Sequence, residues 1–255
     1  MKNMDRHLKI SIIVCVKNSY PEIINTLDSI INQNYKNLEI IVCYKKVNLN
    51  DKTENYLHSK KKLFKHLIKQ KKGNIYTALN KCLAKTTGHI LGMLHAGDTF
   101  ANNKILQKIN RIFLKNEINL FYADILYIKK ENKNIIRKWK SGKFNHDKIK
   151  FGWMFPHTSM FMLKELCNYI GKYNEKYSIS ADYDYIIRIM KNIKTKFYYL
   201  PKYVVKMETG GISNKNLKNV LIKMKQDYFI IKKNKIQFPL SVLFFKNLSK
   251  IKQFF

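Results

Sequence analysis

Acidic residues are what this chain has least of. Seventeen Asp and Glu stand against 49 Lys and Arg, a formal charge of +32 over 255 residues. A general base or a metal ligand must therefore come from a short roster. Glu54, Glu117, Glu131, Glu165 and Glu175 sit in surface helix or turn contexts. Asp98, Asp124, Asp182 and Asp184 lie beside apolar strands or glycine turns. Cysteine is also scarce. Cys15, Cys43, Cys82 and Cys167 are scattered, with no CxxC and no Cys/His cluster at zinc spacing, which argues against a structural zinc and for a reduced, cytoplasmic chain. No apolar run reaches the ~18 residues of a transmembrane helix. The N-terminus, MKNMDRHLKISIIVCV, lacks a small-residue cleavage site and is followed at once by Lys17 and Asn18, which disfavours a signal peptide.

What is present is a core-forming composition, 45% apolar and 13% aromatic. The length suits one large α/β domain or one domain plus an extension. The positive charge admits nucleic acid, an anionic membrane surface or phosphorylated substrates as partners. Lysine is spread along the whole chain, however, and no recognition motif accompanies it, so no nucleic acid is expected.

Lys9–Val16 and Leu38–Tyr44 read as buried strands, with a helix opening at Pro21 between them. Asp51 is placed to cap a short helix, and Leu67-Ile68 suits a third strand. Asn74 or Thr77 opens a helix closed by Gly88. His89–Leu94 is a strand ending in His95-Ala96-Gly97-Asp98-Thr99, and Asn102 or Asn103 caps the next helix. Leu120–Ala123 is a strand with Asp124 at its end, and Ile125–Lys140 suits a hairpin. Ser180 is placed to cap the helix that begins Ala181-Asp182-Tyr183-Asp184. Phe197–Leu200 and Tyr203–Met207 read as two strands, Gly210-Gly211 as a turn and Asn216–Lys233 as a helix. Strand–helix alternation at short spacing predicts an α/β fold, a mostly parallel sheet with helices on both faces. Ligands bind such sheets at the carboxyl ends of the strands, where Asn18, the segment after Tyr44, and Asp98 fall.

Asp98 follows an apolar strand and a glycine. A carboxylate there can hold Mg²⁺ or Mn²⁺ shared with substrate phosphates; a turn aspartate ahead of the next helix is the plainer reading. Asp182 and Asp184 are two apart at a helix start, so they point in different directions. One can face a cleft while the other pairs with Arg188, four residues on, or both can simply favour the helix dipole. Trp153 and His157 lie in an aromatic segment that suits either sugar contact or core packing.

Taken in order, SIIVCVKN, IINTLDSIINQNYKNLEIIV, KGNIYTALNKCLAKTTGHILGMLHAGDTF, RKWKSGKF, FGWMFPHTSMF, ISADYDYIIRI and VVKMETGGISN resemble a family 2 glycosyltransferase of the bacterial surface-polysaccharide type, from about Lys9 to Asn234. The resemblance implies a GT-A fold over residues 8–210 and a C-terminal helical extension over 211–255. It implies an inverting transfer of a sugar from a nucleotide-diphospho-sugar to a saccharide or lipid-linked acceptor. HAGDTF takes the place of the metal-binding motif, making Asp98 the implied ligand of a divalent Mg or Mn, flanked by His95 and Gly97. ADYD takes the place of the catalytic segment, making Asp182 the implied base, with Asp184, Arg188, Trp153 and His157 toward the substrate. Gly73, Tyr76, Asn80 and Lys81 match a donor-contacting segment, and Asn18 matches the nucleotide loop of the first strand.

Three donor-side positions depart from that pattern. The second strand ends Val42-Cys43-Tyr44-Lys45-Lys46 with no acid, and only Asp51 matches the tail of the usual motif. The segment Lys71-Lys72-Gly73-Asn74-Ile75-Tyr76-Thr77 has lost its acids, and His95 replaces an amide or acid. Either basic residues grip the diphosphate instead, or the chain is a catalytically weak homologue; a basic nucleic-acid- or membrane-binding protein is the alternative of another class. Phe238–Phe255 places Phe244, Phe245, Leu248, Ile251 and Phe255 on one helical stripe, with Lys246, Lys250 and Lys252 elsewhere. Such a helix suits an anionic inner leaflet or the protein's own surface.

Overall fold

The computed structural model describes residues 7–209 and 217–254. The strands are β1 (Ile10–Lys17), β2 (Leu38–Lys45), β3 (His66–Lys69), β4 (Ile90–His95), β5 (Asp98–Phe100), β6 (Leu120–Ile128), β7 (Ile135–Trp139), β8 (Phe161–Leu163) and β9 (Phe197–Glu208). The helices are α1 (Glu22–Ile31), α2 (Thr53–Ser59), α3 (Ile75–Leu83), α4 (Ile105–Lys115), α5 (Lys164–Ile170), α6 (Ala181–Lys191), α7 (Leu217–Lys233) and α8 (Pro239–Leu248).

One sheet runs β3-β2-β1-β4-β8-β6-β9-β5, with β7 paired to β6. β3, β2, β1 and β4 are parallel. β8 enters antiparallel to both β4 and β6, and the long β6–β9 ladder is again parallel. The period-2 alternation of β1 sorts its side chains between two cores. Ile10, Ile12, Val14 and Val16 meet α1 and α4 on one face, whereas Ile13 and Cys15 meet α3 and α6 on the other. Both faces are thus covered, which is why the strands read as continuous apolar runs. All four cysteines are buried and unbridged. No helix among the described residues is long and apolar enough to cross a membrane.

Several local expectations shift. Asp124 sits inside β6, not at its end, because the strand continues to Ile128. β9 is one strand, since Pro201 and Lys202 are absorbed as an irregularity opposite Ala123–Asp124. α3 ends at Leu83, five residues short of Gly88; Gly88 instead opens the path into β4, where a Cβ would lie 2.6 Å from Ser11 Oγ. Ser180 precedes α6 but its side chain makes no cap. Gly210-Gly211, Asn216, Phe255 and the 210/211 boundary lie outside the described residues. The C-terminal segment supplies Ile230, Ile231, Ile236, Val242 and Leu243 to the core on the α6 side.

Candidate active site

The parallel strands β1, β2 and β4 deliver their carboxyl ends to one edge. Asn18 follows β1 at φ 43°, and its Oδ1 accepts from Val47 N at 2.9 Å, joining the loops after β1 and β2. Lys45, ending β2, donates to Gly73 O at 3.1 Å. Gly73 takes φ +101°, a value L side chains avoid, and a Cβ there would lie 2.6 Å from Thr77 Oγ1. Asn74 then caps α3, accepting from Tyr76 N and Thr77 N. Its Nδ2 donates to Glu175 O at 2.9 Å and Tyr177 O at 3.2 Å, tying α3 to the loop that leads into α6.

At the end of β4 the chain turns through Gly97, at φ +97°, whose N–H donates to Thr26 Oγ1 at 3.0 Å. Asp98 opens β5 opposite Met207. The residue is 3% exposed, and its carboxyl accepts from His95 N at 2.9 Å. Glu208, the last residue of β9, donates its N–H to Gly97 O at 3.3 Å, and its carboxylate pairs with Lys133. Burial pushes the Asp98 carboxyl up to about 7; the His95 N–H opposes the rise and the nearby Glu208 charge adds to it.

From this turn a line of polar contacts crosses to α6. His95 Nε2 lies 3.0 Å from His157 Nε2. His157 Nδ1 lies 3.5 Å from Asp182 Oδ2. Tyr76 Oη, which reaches Ile179 O at 2.5 Å, lies 3.2 Å from Asp182 Oδ1. Burial holds His95 down at about 3, with His157 contributing. Burial also lowers His157, and Asp182 partly offsets it. Two neutral rings facing a carboxylate have one satisfying arrangement. His157 Nδ1–H points at Asp182, His95 Nε2–H donates to His157 Nε2, and His95 Nδ1 is left an unprotonated acceptor. That atom is buried without a hydrogen-bond partner. The Asp182 and His157 side chains are 23% and 22% exposed, so the α6 end of the line is open to a ligand.

No group of three His, Cys, Asp or Glu able to cage a metal occurs among the described residues. Asp98 with Glu208 beside its turn instead fits the mode in which Mg²⁺ or Mn²⁺ is held by one or two carboxylates and by substrate phosphates. A buried carboxyl pushed up by desolvation is also one that a cation would relieve.

Not every expected residue joins this line. Asn80 spends its amide on Tyr173 N, Tyr173 O and Glu175 Oε1. Asp184 is 1% exposed on the other side of α6 and accepts from Arg188 Nε at 3.0 Å, with Lys233 3.6 Å away. Arg188 also donates to Ile170 O and Lys172 O. The polar groups of Asn80, Asp184 and Arg188 are thus engaged within the fold, away from the line between Asp98 and Asp182. Lys81 is exposed on α3. Trp153, half-buried, donates to Ser141 O and stacks on Phe144, with Tyr122 at its edge. Asp124 accepts from Ser141 N and Tyr199 Oη beside an open concavity of about 520 Å³ that none of the line residues borders.

Glu208 was missed by sequence reasoning, although its position before Thr209-Gly210-Gly211 is the same kind of signal that marked Asp98. Glu54 and Glu175 are not idle surface acids. Glu54 takes Lys69 and the Tyr44 hydroxyl; Glu175 takes Thr77 and Asn80.

Comparison with known proteins bears on the family and the fold. A PGL/p-HBAD biosynthesis glycosyltransferase of Mycobacterium bovis is 28% identical over 142 residues, 55% of this chain and 53% of that protein, so the chain spans about half the length of these relatives. S. aureus TarS in complex with UDP-GlcNAc superposes with a TM-score of 0.70 at 13% identity, covering 95% of this chain and 73% of that one. A mannosyltransferase of Pyrobaculum calidifontis in complex with GDP-Man and Mn²⁺ superposes at 0.64 and 14% identity, covering 96% and 71%. These likenesses show the GT-A type of fold. The family model for glycosyl transferase family 2 matches residues 11–170, more than half of the sequence. The chain belongs to glycosyl transferase family 2.

Proposed function

We propose that this protein is an inverting glycosyltransferase. It moves a sugar from a nucleotide-diphospho-sugar to a saccharide or lipid-linked acceptor during assembly of a bacterial surface glycan, on the cytoplasmic side of the membrane. One observation carries the reading: His95 and His157 lie in line between the Asp98 turn and Asp182, which supports one site with a buried carboxyl at one end and a more open one at the other. Solved relatives in fold bind UDP-GlcNAc, or GDP-Man with Mn²⁺, which supports the donor class and the metal.

Asp182 acts as general base, taking the proton of the acceptor hydroxyl as that oxygen attacks the anomeric carbon from the face opposite the diphosphate. Tyr76 Oη hydrogen-bonds its Oδ1, and His157 Nδ1 faces its Oδ2 at 3.5 Å. Asp98, with Glu208 beside it, would hold the divalent cation, which when bound neutralises diphosphate charge. Asn18, Gly73, Tyr76 and Lys45 shape the donor side, where a lysine-rich strand end complements phosphate.

Thermal shift against a panel of nucleotide-sugars, with and without Mn²⁺, identifies the donor through ligand-linked stabilisation. In Asp182→Asn, transfer falls by about 10²–10⁴-fold while the donor-induced shift persists. Full transfer by that variant would refute the base, and absence of any nucleotide-sugar shift in the wild type would favour a catalytically inactive homologue.

A further inference from the structure

The helix α8 faces two environments. Val242, Leu243 and Lys246 are buried, and they define its inner side. The Lys246 ammonium lies 2.7 Å from Asp227 Oδ2 and 3.1 Å from the centroid of the Tyr183 ring. Its Cβ packs on Gly152, where an added Cβ would approach to 2.6 Å. On the outer side, Leu240, Phe244 and Leu248 follow at intervals of four, and Ile251 comes three later. They are 73, 63, 45 and 54% exposed. Phe151, also exposed, extends this surface: its ring lies 5.4 Å from that of Phe245. The described part of the amphipathic stripe is thus left largely uncovered by its own domain.

Charge decides what would cover it. From Leu217 to Phe254 the chain carries nine lysines, no arginine and one acid, Asp227. That acid is buried and bonded to Lys223 and Lys246. With Lys246 buried and Lys250 half-buried, the exposed lysines of the segment are Lys218, Lys225, Lys232, Lys233 and Lys235, on α7 and just after it, and no exposed negative charge accompanies the apolar side chains. A second copy of this surface would bring lysines against lysines, which like-charge repulsion opposes. A bilayer with anionic headgroups satisfies both features, apolar burial at the acyl boundary and attraction to lysine.

We infer that the outer face of α8, extended by Phe151, is a docking surface for an anionic lipid bilayer. Because Lys246 fastens α8 to Tyr183, docking would fix the orientation of the helix that carries Asp182. Only this consequence rests on the proposed reaction, since docking is read without turnover.

The test is co-sedimentation with vesicles containing phosphatidylglycerol, against vesicles of phosphatidylcholine alone, at low and high salt. Wild-type protein should partition to the anionic vesicles roughly tenfold more strongly, and less so in high salt. The double variant Phe244→Ser, Leu248→Ser should bind them roughly tenfold more weakly, with its melting temperature and its nucleotide-sugar shift unchanged, because both side chains point to solvent. Equal binding by the variant, no binding by the wild type, or a wild-type dimer that the variant dissolves would each overturn the inference.

Discussion

Asp98 is kept at a cost that its own titration exposes. A carboxyl whose folded pKa lies above its unfolded value holds its proton better when folded. Its contribution is favourable at acid pH and is lost as pH rises from 3.8 to about 7. The gap corresponds to about 4 kcal/mol at most, since each pK step is worth ~1.4 kcal/mol. At 3% exposure little of it is screened by solvent. Asp98→Asn keeps an oxygen for the His95 N–H and removes the buried charge. Weakening that bond from charged to neutral returns about 1–1.5 kcal/mol, leaving a net gain of about 2–3 kcal/mol at pH 8. For a chain of this size that is about 5–10 °C in melting temperature. The assay is thermal unfolding of metal-free wild type and variant from pH 5 to 9. Their difference must be largest above pH 7 and shrink below it as Asp98 takes up its proton. The variant must also lose any stabilisation by Mn²⁺ with UDP. An Asp98→Asn protein no more stable than wild type at pH 8, or a difference flat in pH, would refute the reasoning.

Two further outcomes concern the scaffold. Asp227→Ala leaves Lys246 buried without its partner and should cost about 3–5 kcal/mol in urea unfolding, whereas the double change with Lys246→Met should recover most of that. Burial would raise the Glu39 carboxyl, but Lys9, Ser11 and Thr87 hydrogen bonds reverse this and hold it at about 2. Its stabilisation is therefore complete above 4.5 and lost as pH falls toward 2. Glu39→Gln should cost about 1–3 kcal/mol at pH 7 and flatten the acid limb of the stability profile.

The amino-terminal half of the fold was legible because its signals are local. β-branched runs at Ile10–Val16 and Leu38–Tyr44 and the 3.6-period of α1 and α4 need no distant partner to be read. The start of α3 was legible for the same reason to within two candidates, Asn74 or Thr77, of which Asn74 is the cap. What escaped depends on tertiary partners. Pro201 looked like a strand break, yet β9 absorbs it because β6 supplies a continuous edge on either side. Lys246 looked like the wet side of α8, and only Asp227, nineteen residues upstream, makes its burial tolerable. Asp98 and Asp182 stood out as scarce acids beside apolar runs, but the His95–His157 contact that connects them spans 62 positions. Nothing about a lone histidine in sequence announces such a partner.

The missing acids on the donor side have a physical counterpart. β2 ends in Tyr44-Lys45 with no carboxylate of its own, yet one stands beside it: α2 brings in Glu54. Lys69 at 2.6 Å, the Tyr44 hydroxyl at 2.9 Å and Lys46 at 3.6 Å all converge on that carboxylate, and the Lys69 and Tyr44 hydrogen bonds hold it at about 2. Glu54 is thus spent on positioning lysines rather than on accepting from a ligand. Lys45 is pinned to Gly73 O, at the mouth of the α3 segment. The result exchanges a hydrogen-bond acceptor, which reads the donors on a nucleoside, for fixed positive charge, which attracts phosphates of any nucleotide. If the donor is the nucleotide-diphospho-sugar proposed above, the departures from the family pattern would weaken discrimination among nucleosides before they weaken the hold on a diphosphate. The line from Asp98 to Asp182, where the reaction itself is proposed to run, contains only one of them, His95.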